Sequence, residues 1–167
     1  MAGPQSSLRV EALTKDEWSR LRDIRLLALE DYPAAFLSSH EREAAYDEQR
    51  WRQEFSRGVW NILLAGGKEI GLLGVTRELA MSSQECYLES LWIAPDFRRN
   101  RAASMMLRTV LNRLRDSGVH TVWLYILNGN EGARRLYEKF GFQSTNEWQL
   151  LPDHPAGSEH RMKLRLQ

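Results

Sequence analysis

The sequence predicts an α/β (α+β) fold: one mixed central sheet of about six to seven strands flanked by about four helices. Three observations carry this. Apolar runs of strand length and amphipathic stretches of helix length alternate in the order β-α-α-β-β-β-α-β-α-β-β. Residues 85–127 read as strand–helix–strand, a unit whose right-handed crossover makes its two strands parallel. HTVWLYIL (120–127) is almost wholly apolar, as suits a central strand covered on both faces.

Each element follows from its own residues. Leu8, Val10 and Ala12 alternate with polar residues and predict a first strand. Thr14-Lys15-Asp16-Glu17 fits a capping box. Trp18, Leu21, Arg25, Ala28 and Leu29 follow at helical spacing, and Pro33 predicts a stop near Asp31. Ser38-Ser39-His40-Glu41 opens a second helix. Its apolar side holds Ala44, Ala45, Trp51 and Phe55, and its charged side Glu41, Arg42, Glu43, Asp47 and Glu48. VWNILLA and KEIGLLGVT flank Gly66-Gly67 and read as a hairpin. ECYLESLWIA (85–94) is a strand closed by Pro95. Residues 102–116 form a helix whose buried stripe is Ala103, Met106, Leu107, Val110, Leu111 and Leu114, stopped by Ser117-Gly118. After the 120–127 strand, Asn128-Gly129-Asn130 turns into EGARRLYEKF, which Gly141 ends. Two strands are expected around 144–151 and 160–166, joined by the turn-rich PDHPAGSE.

The bulk properties narrow the function. The 167 residues fit one domain, 1–167, with 43% hydrophobic and 27% charged residues. Lys+Arg 23 against Asp+Glu 22 gives no basic excess for a general nucleic-acid or anionic-membrane binder. The single cysteine, Cys86, permits no intrachain disulfide and suits the cytoplasm. Cys86 and the four histidines show no metal-ligand spacing, so no metal is expected. The first 18 residues turn polar without an apolar core, so no signal peptide is expected, and no apolar run approaches the ~20 residues that span a bilayer.

The chemistry concentrates in two loops. Ala94–Arg101 and Asn128–Asn130 both leave the carboxyl ends of the paired strands, where ligands of such sheets bind. The first runs FRRNRAASMML, the shape of a phosphate-binding turn entering a helix, yet without glycine. First-turn N–H groups of a helix bind anions whatever their side chains. The bland alternative for RRNR is a solvated surface turn, and RNA contact is disfavoured by the neutral charge balance.

LWIAPDFRRNRAASMML and NEGARRLYEKFGF together resemble the GNAT superfamily of acyl-CoA-dependent N-acyltransferases. The first is similar to the family's strand and its Arg/Gln-x-x-Gly-x-Gly/Ala pyrophosphate loop. The second resembles its Asn-x-x-Ala-x-x-Leu-Tyr-x-x-x-Gly-Phe element at Asn130, Ala133, Leu136, Tyr137, Gly141 and Phe142. The resemblance implies a GNAT-like fold and an enzyme moving the acetyl group of acetyl-CoA, without a metal, to a primary amine of a small molecule or protein. It implies pantetheine pairing with the backbone of Leu91, Trp92 and Ile93 where two strands splay at a bulge. It implies phosphates held at Arg98, Arg99, Asn100, Arg101, Ala102, Ala103 and Ser104, with Asn130 and Ala133 near the pantetheine arm. Arg98 matches the leading Arg/Gln, whereas Arg101 stands at a required glycine. Tyr137 is implied as the general acid toward the thioester sulfur. Glu89 is a candidate base, placed by strand alternation on one face with Tyr87, Leu91 and Ile93. The acceptor pocket would draw on Phe36, Tyr46 and Trp51, and no feature picks the amine. Homodimers are common in the family, and here the final strands would be the contact surfaces. The rival is a non-catalytic acyl-CoA sensor or interaction module whose loop has degenerated, favoured by Arg101.

Overall fold

The computed structural model describes residues 7–167; residues 1–6, part of the stretch expected not to be a signal peptide, lie outside the described residues. Seven strands form one sheet: β1 (Leu8–Ala12), β2 (Gly58–Ala65), β3 (Lys68–Thr76), β4 (Glu85–Ile93), β5 (Thr121–Leu127), β6 (Gln143–Leu150) and β7 (Ser158–Arg165). Their order across the sheet is β1-β2-β3-β4-β5-β7-β6. Five α-helices accompany them: α1 (Trp18–Asp31), α2 (His40–Ala44), α3 (Glu48–Phe55), α4 (Ala102–Asp116) and α5 (Glu131–Lys139). The expected mixed sheet is present. Its parallel pair is β4 with β5, joined through α4, and the other neighbours run antiparallel.

The capping box forms, with Glu17 Oε2 accepting from the Thr14 N–H at 2.7 Å. It opens a short 3₁₀ turn before α1, which ends at Asp31 ahead of Pro33. The expected second helix is two. Ser39 caps α2 by accepting from the Arg42 N–H at 3.2 Å, and Asp47 caps α3 by accepting from the Arg50 N–H at 2.8 Å. A second capping side chain inside the run starts a new helix axis and separates the two. The expected charged face is corrected at one place: Glu43 is buried, while Ala44 and Ala45 are exposed.

The sheet has a core on each face. Against α4 and α5 pack Met106, Leu107, Val110, Val122, Leu124, Ile126 and Met162. Against α1 and α3 pack Leu21, Ile24, Leu29, Trp60, Leu72 and Trp92. β5 is fully covered on one face and partly on the other, where Leu127 is buried. Val122, Leu124 and Ile126 are buried, but Tyr125 is 39% exposed on the other face, so the expectation of cover on both sides fails there. That open face is where the cleft lies.

A buried ion pair ties the helices to β4. Arg25 of α1 donates from Nε and Nη2 to Glu43 of α2 at 2.9 and 2.8 Å, and from Nη1 to the Ser90 hydroxyl of β4 at 2.7 Å. The two side chains are only 15% and 8% exposed. Removing one partner leaves a charge stranded out of water. Glu43→Ala is therefore expected to lower unfolding stability by about 3 kcal/mol in urea denaturation. The double change Arg25→Met with Glu43→Leu is expected to cost less than that single change, since it strands no charge.

Candidate active site

The site begins where two neighbouring strands part. β4 and β5 pair only at Glu85–Thr121, Cys86–Val122 and Tyr87–Trp123. Beyond these residues both strands continue, to Ile93 and Leu127, without pairing. The cause is a bulge in β4. Glu89 lies opposite Gly74 and Trp92 opposite Leu72, so Ser90 and Leu91 together face Leu73. Ser90 takes φ +60°, a left-handed conformation that a serine holds only under constraint, and Arg25 grips its hydroxyl.

The bulge corrects the expected face of the strand. An extra residue shifts alternation by one. Tyr87 and Glu89 face the cleft on the α1 side, whereas Ile93, with Leu91 beside it, packs on the α4 side. Glu89 is therefore not on one face with Leu91 and Ile93. Backbone direction is set by the Ala94 N–H donating to the Ile70 carbonyl at 2.8 Å. Antiparallel bonding alternates, so Trp92 also turns its backbone to β3, and Leu91 and Ile93 turn theirs to the gap beside β5. Trp92 is thus corrected from a gap residue to an anchor. Its ring is 7% exposed in the α1-side core and its indole N–H donates to Asp31 at 2.8 Å.

The glycine-free loop keeps the shape that glycine would give. Arg99 and Arg101 have φ +63° and +61°, both left-handed. Arg101 stands at the required glycine of the resembled loop, and Arg99 shares its left-handed backbone. Each left-handed non-glycine residue costs roughly 1–2 kcal/mol. The loop is held from its flank. Arg98 Nε donates to the Ile93 carbonyl at 2.8 Å, and its Nη2 pairs with Asp31. The Arg98 guanidinium is thus spent on the turn, and the free cationic side chains there are those of Arg99 and Arg101, both exposed beside Asn100. In α4 the first amide bonded back to the loop is Met105, whose N–H donates to the Arg101 carbonyl at 2.9 Å. The amides of Ala102, Ala103 and Ser104 precede it at the positive end of the helix. Ala102 is buried and Ala103 and Ser104 half-buried, so this end is small and accessible. The residues present fit a pyrophosphate. The idea of a degenerated loop loses its basis, because the backbone is not degenerate.

Asn130 caps α5, its Oδ1 accepting from the Ala133 N–H at 3.2 Å. Tyr137 lies one and a half turns on, 8% exposed, edge-on to Phe142 at 5.5 Å between ring centres. Burial pushes its phenol well above the ordinary tyrosine range. Its hydroxyl is not among the buried polar atoms sealed off without a partner. Burial pushes the Cys86 thiol up to about 11, which fits a buried strand residue and not a nucleophile.

On the other face of the sheet lies a cleft of about 660 Å³. Phe36, Tyr46 and Trp51 line it, as expected of an acceptor pocket. Glu89 lines it too, with its Oε2 accepting from Arg57 Nη2 and from the Thr76 hydroxyl, both at 3.3 Å. Tyr137 does not line it but lies in the core on the α4 side, so the two candidate catalytic side chains are on opposite faces of the sheet. Among the cleft residues missed from sequence are Arg25, Ser90, Tyr125 and Glu159. Only the exposed end of the apolar 120–127 run could have hinted at one of them, Tyr125.

Comparison with known proteins gives the same outline. The sequence model of the family described as Acetyltransferase (GNAT) matches residues 21–142. The [Ribosomal protein bS18]-alanine N-acetyltransferase of Salmonella typhimurium is 26% identical over 123 residues, covering 73% of this chain and 81% of the relative. An acetyltransferase of GNAT family from Streptococcus pneumoniae superposes with a TM-score of 0.79 at 14% identity, over 96% of this chain and all of the other (100%). The Salmonella typhimurium protein yncA, solved with its cofactor acetyl-CoA, superposes with a TM-score of 0.76 at 16% identity, over 97% and 95%.

The loop yields a stability test. Arg101→Gly is expected to stabilise the fold by about 1 kcal/mol by relieving the left-handed arginine. For a chain of this size that raises the melting midpoint by roughly 2–4 °C in a calorimetric scan.

Proposed function

The chain belongs to the acetyltransferase (GNAT) family, and from that membership we propose that it is an enzyme transferring the acetyl group of acetyl-CoA directly to a primary amine. The observation that carries the proposal is the parting of β4 and β5 beside the open amino end of α4. Bound acetyl-CoA supplies an acetyl thioester, whose C–S bond breaks as the N–C bond forms, with a net release of one proton from an ammonium.

The chain's own residues divide the work. The amides of Ala102, Ala103 and Ser104 hold phosphate oxygens, aided by the positive end of α4 and by the nearby charges of Arg99 and Arg101. The Ile93 N–H turns away from β3 and can donate into the gap, since the neighbouring Ala94 N–H is the one bonded to β3. A donor fixed there stabilises negative charge developing on an oxygen. Tyr137 holds a proton on its phenol oxygen and gives it up at the sulfur side. Its raised pKa keeps it protonated across the working range. The acceptor enters from the opposite face through the cleft lined by Phe36, Tyr46 and Trp51. A protein alanine is one acceptor class to test, since the Salmonella relative is named a [Ribosomal protein bS18]-alanine N-acetyltransferase. A cytoplasmic setting is supported by the lone buried thiol of Cys86. Pairing of two copies through the last strands is supported by Trp148 and Leu150, 56% and 79% exposed on the edge strand β6.

Two measurements test this. Calorimetric titration with acetyl-CoA is expected to show saturable micromolar binding, and no heat of binding would sink the proposal. Tyr137→Phe is expected to lower kcat about 100-fold while acetyl-CoA affinity is retained. An equal loss in both would reduce Tyr137 to a packing residue.

A further inference from the structure

Among the described residues the cleft holds five carboxylates, and three of them are already neutralised. Glu43 is gripped by Arg25. Glu54 pairs with Arg50 at 2.5 Å and Arg57 at 3.0 Å. Glu89 shares Arg57 and takes a second bond from Thr76. Glu78 is unpaired but exposed. Glu159 differs from all of these. It is 7% exposed, lines the cleft, and enters no ion pair or side-chain hydrogen bond among the described residues.

Its position follows from register. Glu159 stands opposite Leu127, the last residue of β5, at the open end of the gap. On β7, Met162 points to the α4 side, within the core that holds Leu124 and Tyr137. Arg161 points the opposite way, 3.7 Å from the Trp123 ring centre and 5.5 Å from that of Tyr87. Alternation puts Glu159 on the Arg161 side, facing the cleft with Tyr125 and Leu127. The β6–β7 connection closes over it. His154 Nδ1 accepts from the Ala156 N–H at 3.1 Å, which leaves Nε2–H to donate to the Phe36 carbonyl at 3.0 Å. The imidazole is thereby committed to the Phe36 carbonyl and makes no hydrogen bond or ion pair with the carboxylate. A buried carboxylate without a cation is costly unless something pairs with it.

We infer that Glu159 is the acceptor's counter-ion: its carboxylate receives the primary ammonium of the incoming substrate and takes the first proton from its nitrogen. One N–H bond breaks and one O–H bond forms on the carboxylate, leaving a neutral amine beside the gap. The inference rests on the acetyl-transfer reading and adds the residue that selects a cation. Burial raises the carboxyl above its ordinary range, only partly offset by His154, which makes it a better proton acceptor than an exposed glutamate. Glu89, with Arg57 on its carboxylate, is then a wall residue of the cleft and not the base.

The test uses the full chain saturated with coenzyme A, labelled with ¹³C at the glutamate side-chain carboxyls. Alaninamide and ethylammonium serve as probes. The resonance missing from the Glu159→Gln spectrum is expected to move on titration with either amine. Glu159→Gln is expected to weaken alaninamide at least tenfold while acetyl-CoA affinity stays within twofold, which also shows that the variant is folded. Movement of the Glu89 resonance instead, equal affinity of both proteins for alaninamide, or no movement with either amine would each overturn the inference. Failure of acetyl-CoA to bind the unaltered protein would sink the acetyl-transfer reading separately, and the calorimetry reads that out on its own.

Discussion

The hydrogen bond from Arg25 to the Ser90 hydroxyl fixes the point on which the rest of the site depends. Ser90 sits in a left-handed bulge, and the bulge is what turns β4 away from β5. A strand prefers to stay paired, because an unpaired backbone leaves its donors and acceptors without partners. The fold keeps this unpaired stretch by anchoring it from three sides. Arg25 and Glu43 hold the bulge from the helices, Asp31 holds the Trp92 indole, and Arg98 caps the Ile93 carbonyl. What remains open is a short length of backbone edge between two strands.

The same anchors explain how a loop without glycine keeps a glycine shape. Asp31 takes both Trp92 and Arg98, so the start of the loop is pinned to the end of α1. α4 is fixed at the other end by its buried stripe of Met106, Leu107 and Val110. Between these fixed ends the chain must turn tightly, and Arg99 and Arg101 take left-handed dihedrals because the ends leave no gentler route. Backbone strain of this kind survives only where surrounding structure over-determines it. In exchange the loop presents two arginine side chains where glycine would present none.

The cleft on the opposite face shows a different economy of charge. Arg25, Arg50 and Arg57 between them neutralise Glu43, Glu54 and Glu89, so these three wall carboxylates carry little net charge. The tyrosines reinforce this. Tyr87 and Tyr125 stack at 5.8 Å, and burial pushes the Tyr87 phenol up to about 12, so it carries no charge near neutrality. Under the proposed acetyl transfer, thioester and acceptor would reach the gap from opposite faces and so not share one entrance.

Much of this molecule was legible in its residues. Local rules located the elements: the Thr14–Glu17 cap, the stop at Asp31, the hairpin at Gly66-Gly67, and the stripe of residues 102–116 each depend on neighbours a few positions apart. The two motifs around Arg98–Ser104 and Asn130–Phe142 pointed to the family for the same reason, since a loop entering a helix is encoded in one stretch of chain. What sequence could not carry was everything set by partners far apart. Alternation placed Glu89 with Ile93, because a bulge leaves no mark in ESLWI; it is set by a serine gripped by an arginine 65 positions away. The charged helix face at 41–48 hid one buried glutamate, since burial depends on where Arg25 lies. Glu159 read as the edge of a turn-rich connector, and only register against Leu127 makes it part of a cleft. Sequence by itself determined most of the elements, their order and the loop that enters α4, because these are short-range properties of the chain. Tertiary structure alone decided which carboxylates meet a cation and which one stays free, because pairing of charges is settled by distance in space and not along the chain.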